Sequence, residues 1–441
     1  MRTLFALILT ITSFALSAQS IGNEWINYSQ SYYHFKIAEN GLYRITYQDL
    51  LNANIPLSTI NPQNIQLFAK GKEQPIYLKG EADGVFNATD YIEFYAEAND
   101  GWLDTVFYKG KNNQPNPFYS LINDTISYYL TWNNQTNNLR FQEENAVDFS
   151  NYFPAPFVWK ESVESYTSNY YDGEILSSQA TDPEYVSTEG FMDVAINLGQ
   201  SRNKGISTPH RYAAGPYIEF DFKVAGASNW AGLNNGDHHL RVSLGNYSFD
   251  KIFEGYQLIH LDTTLSTSEI NDGNNIVRIQ SIDDLSNQQG RVDRMALAYL
   301  RITYPHDLNL SAANYEEFWI DDSQSQQAQY LEIDNFNGGA EPLLYDLSNA
   351  KKIRVVQGVG NYRAIVPNGN GRKKMVLSAV NQIKSVGAIN AVGANAQFVD
   401  YESQLSSDFY LMVSHSQLMQ GAVNYRAYRQ SQGLDVLLVD V

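Results

Sequence analysis

Apolar and polar residues alternate with a period of two along most of this chain, which is the spacing of half-buried β-strands. Tyr217 to Val224 keeps the alternation for eight residues, His239 to Leu244 and Asn275 to Gln280 repeat it, and the run Met295 to Tyr304 closes the region before Pro305. Polar turns separate these runs, so the pattern predicts a sandwich of jelly-roll type over residues 158–306. Upstream, His34 to Ile37 and Leu42 to Tyr47 flank Glu39-Asn40-Gly41, which reads as a hairpin turn with Asn and Gly at positive φ. Ile65 to Phe68, Gln74 to Leu78, Tyr91 to Tyr95 and Ile126 to Trp132 are further predicted strands, and Asp49 to Ala53 a short helical turn. This first β-rich domain is expected to span 19–157 and to end at the proline-containing segment Tyr152 to Phe157. A third β-rich region, 307–406, carries Tyr330 to Ile333, Lys352 to Val356, Tyr362 to Val366 and Lys374 to Leu377 between glycine-rich turns.

From residue 407 the pattern changes. Asp408 to Val413 is an apolar run of strand length, followed by a helical stretch from about Gln417 to Gln432. That stretch sets Leu418, Ala422, Tyr425 and Tyr428 on one stripe. Gly433 sits where a helix C-cap belongs, and Leu434 to Val439 is a second buried-strand run. The order predicts a βαβ unit. Parallel strands joined by a helix occur in sheets covered on both faces, so one unit cannot bury its own faces. Val441 is therefore expected not to be a natural end. The predicted fold class is mainly β and multi-domain, with the start of an α/β domain attached.

Composition sharpens this picture. The 441 residues include 48 acidic and 30 basic side chains, a net charge of −18 that argues against binding a phosphate backbone. Aromatics make up 13%, with 31 Tyr, and charged residues only 18%, a balance that suits antiparallel sheets outside the cell. Export is also predicted at the N-terminus. Arg2 precedes an apolar run from Leu4 to Leu16, and Ala15-Leu16-Ser17 or Leu16-Ser17-Ala18 offers a small-residue cleavage site. Residues 1–18 therefore read as a signal peptide. The chain contains no Cys, which excludes disulfides and a cysteine nucleophile within these residues.

Candidate chemistry is sparse. His238 and His239 resemble a metal pair, but adjacent strand residues point to opposite faces and cannot chelate together. The turns Asn271 to Asn275 and Ser281 to Asp293 carry oxygen ligands of the kind Ca²⁺ takes, yet lack the closing Glu of an EF-hand loop, so solvated turns are expected. The pairs Gly358/Gly360 and Gly369/Gly371 read as turns between strands, not nucleotide loops. Ser414 lacks the Gly-x-Ser-x-Gly elbow, and His415 has no nucleophile in reach. Trp102 and Trp230 are expected to pack in a core or between domains. No catalytic, cofactor-binding or metal-ligating residue is assigned, and no cofactor.

The order of short motifs then becomes informative. Gly41 to Ile45, Asp90 to Tyr95, Asp100 to Asp104, Asn116 to Leu121, Asn123 to Leu130 and Arg294 to Pro305 lead to Tyr425-Arg426-Ala427-Tyr428-Arg429 and Ser431 to Val436. In this order the chain resembles the region upstream of, and just entering, the catalytic domain of gingipain-type (C25) cysteine peptidases. Within that family it is most similar to the large surface proteins related to the type IX secretion sortase (PorU-like). The resemblance implies that 407–441 begins a caspase-like α/β domain in which a Cys nucleophile is activated by a His. Those two residues would lie beyond Val441, so no position here inherits them. It further implies protein or peptide substrates and other secretion-system components as partners, for an exported chain in the periplasm, at the outer-membrane surface or outside the cell. The alternative is a non-enzymatic surface or carbohydrate-binding β-sandwich protein.

Overall fold

A computed structural model describes residues 22–177, 180–230, 236–286, 289–404 and 408–440. The predicted signal peptide and its cleavage sites, and the junction at 407, lie outside the described residues. The architecture is mainly β, with multiple antiparallel sheets, as the alternation predicts.

The first domain is a two-sheet sandwich. Tyr32–Ile37, Ile126–Trp132, Ile65–Ala69 and Lys72–Gln74 form most of one sheet; Gly41–Thr46, Tyr91–Ala96 and Tyr77–Lys79 form most of the other. Between them lie Phe35, Ile45, Leu67, Phe94 and Leu130, all buried. Tyr32–Ile37 and Gly41–Thr46 thus belong to opposite sheets and do not pair, which corrects the hairpin expected at Glu39 to Gly41. The turn carries the chain across the sandwich because both flanking strands have an apolar face to bury on the same core. Gly41 has φ +150° and Asn40 is not left-handed. The run Gln74 to Leu78 is also broken in two, since Pro75 has no N–H for a ladder. The helical turn Tyr47–Asn52 starts with a capping box: Thr46 accepts from the Asp49 N–H, and the Asp49 carboxylate accepts from the Thr46 N–H.

One ten-stranded sheet then runs through the rest of the β region. Its order includes Leu258–Leu265, Ile218–Gly226, Arg294–His306, Val158–Ser165, Tyr315–Ile320, Lys373–Ser378, Leu343–Asp346, Lys351–Ile353 and Gln142–Glu144. Its first half packs against Ser201–Thr208, Gly273–Ser281, His238–Leu244 and Tyr247–Phe253, burying Phe220, Phe222, Val242, Ile279 and Leu300. Its second half packs against Asn309–Ala313, Ala328–Phe336, Asn361–Pro367 and Val355–Gln357, burying Phe318, Leu331, Val366 and Leu377. Lys352 to Val356, predicted as one strand, is two short strands in opposite sheets of this second sandwich. Arg294–His306 continues through Pro305, which pairs with Trp159.

The first domain is completed late in the chain. Lys384–Ser385 adds to the edge strand Gly41–Thr46, and Asn390–Ala391 to the edge strand Tyr32–Ile37. Ile389 and Ala396 enter the first core, and the Phe398 ring lies 5.6 Å from Trp25 and 5.1 Å from Tyr32.

At the C-terminus, Tyr410–Ser414 and Val436–Asp440 pair in parallel, joined by the helix Met419–Ser431. Gly433, just past the helix, has φ +85° and fits the predicted stop. No residue of this helix is buried. Leu411 and Val413, on one face of the strand pair, are 52% and 58% exposed, and Leu418 and Tyr428 are 69% and 56% exposed, so that strand face and much of the helical side are open, while Val436 is buried. Among the described residues no helix is long and apolar enough to cross a membrane.

Candidate functional site

The alternation in Ile218–Gly226 buries Ile218, Phe220, Phe222 and Val224 and turns Glu219, Asp221 and Lys223 to the other face of the sheet. Register extends this polar face across the neighbouring strands. Lys223 lies opposite His260 and Tyr299; Asp221 lies opposite Asp262 and Arg301; Thr303 lies between Glu219 and Glu161. The first domain roofs one end of this grid with Asn112, Pro117 and Phe118, leaving a cleft of about 340 Å³.

Asp221 is the centre of the grid. Its Oδ1 accepts from Tyr299 Oη at 2.8 Å and from His260 Nε2 at 3.0 Å, and its Oδ2 accepts from Arg301 at 2.5 Å. Burial raises its pKa, but the His260 and Tyr299 hydrogen bonds and the Arg301 charge outweigh that and hold it below the usual carboxylate range. Glu161, on the other side of Arg301 at 3.5 Å, behaves oppositely: burial pushes its carboxyl up, against the pull of Arg301 and Lys374. The Lys223 amine is brought down to about 8 by burial, with Asp221 opposing. Its Nζ donates to the backbone carbonyls of Gln114 at 2.7 Å and Asn112 at 3.1 Å, so it clips the roof loop to the sheet. Two carboxylates with opposite pKa directions, together with the cleft, make this face a candidate functional site. Sequence reading missed these residues. The available signal was a charge at every outward position from Glu219 to Lys223, a pattern that a plain solvated face shares.

The residues weighed from sequence lie elsewhere. His238 is fully buried and His239 is on the opposite face, as strand geometry requires. Both His238 ring nitrogens meet acceptors, Nδ1 the Asp293 carboxylate at 2.6 Å and Nε2 the Ser228 carbonyl at 3.0 Å. Burial lowers its pKa, but the Asp293 hydrogen bond and charge outweigh it, and the net shift is upward. His239 instead contacts Asp284 and Asp250. Among the described residues no group of His, Asp and Glu could hold a metal ion. Asn275 folds its side chain back onto the Asn271 and Gly273 carbonyls and Thr208, so this turn is self-satisfied. Gly358 and Gly360 form a turn between paired strands, with Gly360 at φ +85°; Gly369 and Gly371 link two sheets and donate to Asp322. His415 Nδ1 accepts from the Gln417 N–H and caps the following turn, while Ser414 Oγ donates to the His415 carbonyl. Trp102 departs from expectation: it is 39% exposed in a depression shared with Leu103 and Ile122, on a turn entered through Gly101 at φ +77°.

No family model and no curated protein matches the chain. Solved structures similar to it include the CBM36-1 domain of a multidomain xylanase from the hindgut metagenome of Trinervitermes trinervoides, at 14% identity over 32% of this chain and 96% of that one, TM-score 0.19. Another is a β-porphyranase of glycoside hydrolase family 86 from Bacteroides plebeius, at 8% identity over 63% of this chain and 35% of that one, TM-score 0.19. A third is the VP2 subviral particle of infectious bursal disease virus, at 11% identity over 81% of each chain, TM-score 0.20. At these TM-scores the likenesses support no functional reading.

Proposed function

We propose that this chain is the non-catalytic β scaffold of an exported gingipain-type cysteine peptidase, together with the first βαβ unit of its catalytic domain. The observation that carries the reading is the uncovered βαβ unit. Its parallel strands and its helix are of the kind that α/β domains bury on both faces, yet Leu411, Val413, Leu418 and Tyr428 stand open. Together with the motif order ending at Tyr425 to Val436, this supports a first unit awaiting further strands and helices. The scaffold would carry or cover the catalytic domain, or present peptide substrates to it. The test has two arms. The 441-residue chain alone should turn over no Arg-, Lys- or sorting-signal peptide. A version extended by its native downstream coding sequence should do so, and should lose activity on replacement of a single Cys after the second parallel strand. Turnover by the short chain that disappears on mutating Ser414 or His415 would overturn the reading.

A second reading, a carbohydrate-binding surface protein, is favoured by Trp102, whose exposed ring could stack on a sugar. Retention of an immobilised polysaccharide by the wild type but not by Trp102→Ala would support it.

A further inference from the structure

We propose that the cleft between the outer face of the sandwich and the Asn112–Phe118 loop binds a neutral saccharide. The inference rests on the carbohydrate-binding reading and moves its site from Trp102 to the cleft; it is compatible with a scaffold role.

The chemistry of the walls selects the ligand class. The cleft contains Glu97, Asp100, Glu161, Asp221 and Asp262 against Lys111, Lys223 and Arg301. That balance, in a chain of net charge −18, repels phosphates and carboxylates. A strongly cationic ligand is also poorly served, because four of the five carboxylates already have a cationic partner: Arg301 bridges Asp221 and Glu161, and Lys70 pairs with Glu97 and Asp100. Lys223 is likewise occupied by the roof carbonyls. What remains is a set of groups that offer both donors and acceptors, with most of their charges compensated by neighbours and Asp262 left over. His260 and Asp262 are at the rim, exposed and able to reach a ligand. A hydroxyl both donates and accepts, so a polyol matches such a surface without displacing its ion pairs.

The apolar part of the cleft fits the same class. Phe118 meets Tyr299 edge-on, with ring centroids 5.1 Å apart, and lines the wall beside Pro117. Such a wall packs against the C–H face of a sugar ring while the charged grid meets its hydroxyls. The volume of about 340 Å³ lies at the lower end of small-molecule sites, roughly 300–1,000 Å³, which suits one to a few sugar units.

The full chain should be titrated by calorimetry and saturation-transfer NMR with xylotriose, cellotriose and maltotriose, with arginine amide and inorganic phosphate as the cationic and anionic probes. At least one trisaccharide is expected to bind with a dissociation constant below about 1 mM, a modest affinity. Asp262→Ala, at an exposed position, and His260→Ala, which also removes one of the three partners of Asp221, should each weaken it at least fivefold, and Trp102→Ala should leave it within twofold. Binding lost in Trp102→Ala but kept in the two cleft variants would overturn the cleft and leave the carbohydrate reading standing. No binding of any trisaccharide would overturn both. Tighter binding of arginine amide or phosphate than of every trisaccharide would overturn the ligand class.

Discussion

His306 ends the strand Arg294–His306 as a buried imidazole beside Lys160, Asp307 and His210, its Nδ1 donating to the Asp307 carbonyl. Burial, with the Lys160 charge adding to it, lowers its pKa to about 4 from an ordinary 6.5. The folded state therefore stays unprotonated between these values while the unfolded state takes up a proton. Stability from this residue is present above about pH 6.5 and falls as pH drops toward 4, by roughly 3 kcal/mol at most. Urea midpoints from pH 7 to pH 4 should show a shallower decline for His306→Gln than for the wild type. Asp221 gives a second expectation. Its removal in Asp221→Ala leaves Arg301 half-buried between fewer partners, and should cost about 3 kcal/mol in the same assay. How much of this was legible varies by residue. The opposite orientations of His238 and His239 follow from strand geometry alone, and are observed. The convergence of Asp221, Glu161 and Arg301 was not legible, because it depends on which strands are neighbours, and those are separated by up to 140 residues in sequence. Trp102 misled because a large apolar ring is ordinarily worth burying, and nothing local shows that its turn faces outward.

The βαβ unit is the element whose behaviour differs most from the rest. It has its own parallel ladder from Tyr410↔Val436 to Ser414↔Asp440, but the strand face of Leu411 and Val413 is open and no helix residue is buried. Amides in Tyr410–Ser414 and Val436–Asp440 should exchange with solvent far faster than those in Ile218–Gly226. Deleting 408–441 should leave the melting temperature of the β domains within about 2 °C and reduce aggregation. Equal protection in the two places would contradict an incomplete α/β domain. Elements of this kind were the most legible, since alternation and the helix stripe are local. Ile126–Trp132 matches its predicted span, and the helix Met419–Ser431 lies within two residues of its predicted start. The Glu39 to Gly41 turn was misread because hairpin and sheet-crossing turns share the same residues, and the choice is made by the core on which both strands land.

Across the whole molecule, polar contacts lock the first domain to the second half of the long sheet. The Glu93 side chain, in the first domain, is almost wholly buried. It accepts from Tyr345 Oη at 2.7 Å and pairs with Arg44, with Lys352 at 3.5 Å. Tyr95 donates to Glu317 at 2.9 Å and accepts from Lys374. Glu93→Ala would leave Arg44 and Lys352 without their buried counter-charge, and should cost about 3–5 kcal/mol. Calorimetry is expected to show one transition for the wild type and two for the variant, as the first domain melts apart from the rest. The boundaries expected at 157 and 306 rest on linkers and turns alone, and one sheet runs across both of them. The sharing of one sheet by two sandwiches could not be read from the sequence, nor could the return of 384–391 to the first domain, because pairing over more than 300 residues leaves no local trace.

That return sets the order in which the molecule can be finished. A chain emerging from a ribosome or threading through a membrane channel delivers Tyr32–Ile37 and Gly41–Thr46 early, but their outer edges wait for Asn390–Ala391 and Lys384–Ser385. Until then both sheets of the first sandwich present open hydrogen-bonding rims. The first domain to appear is thus among the last to close, and a chain halted before residue 384 carries two unsealed edges however well its own core has formed.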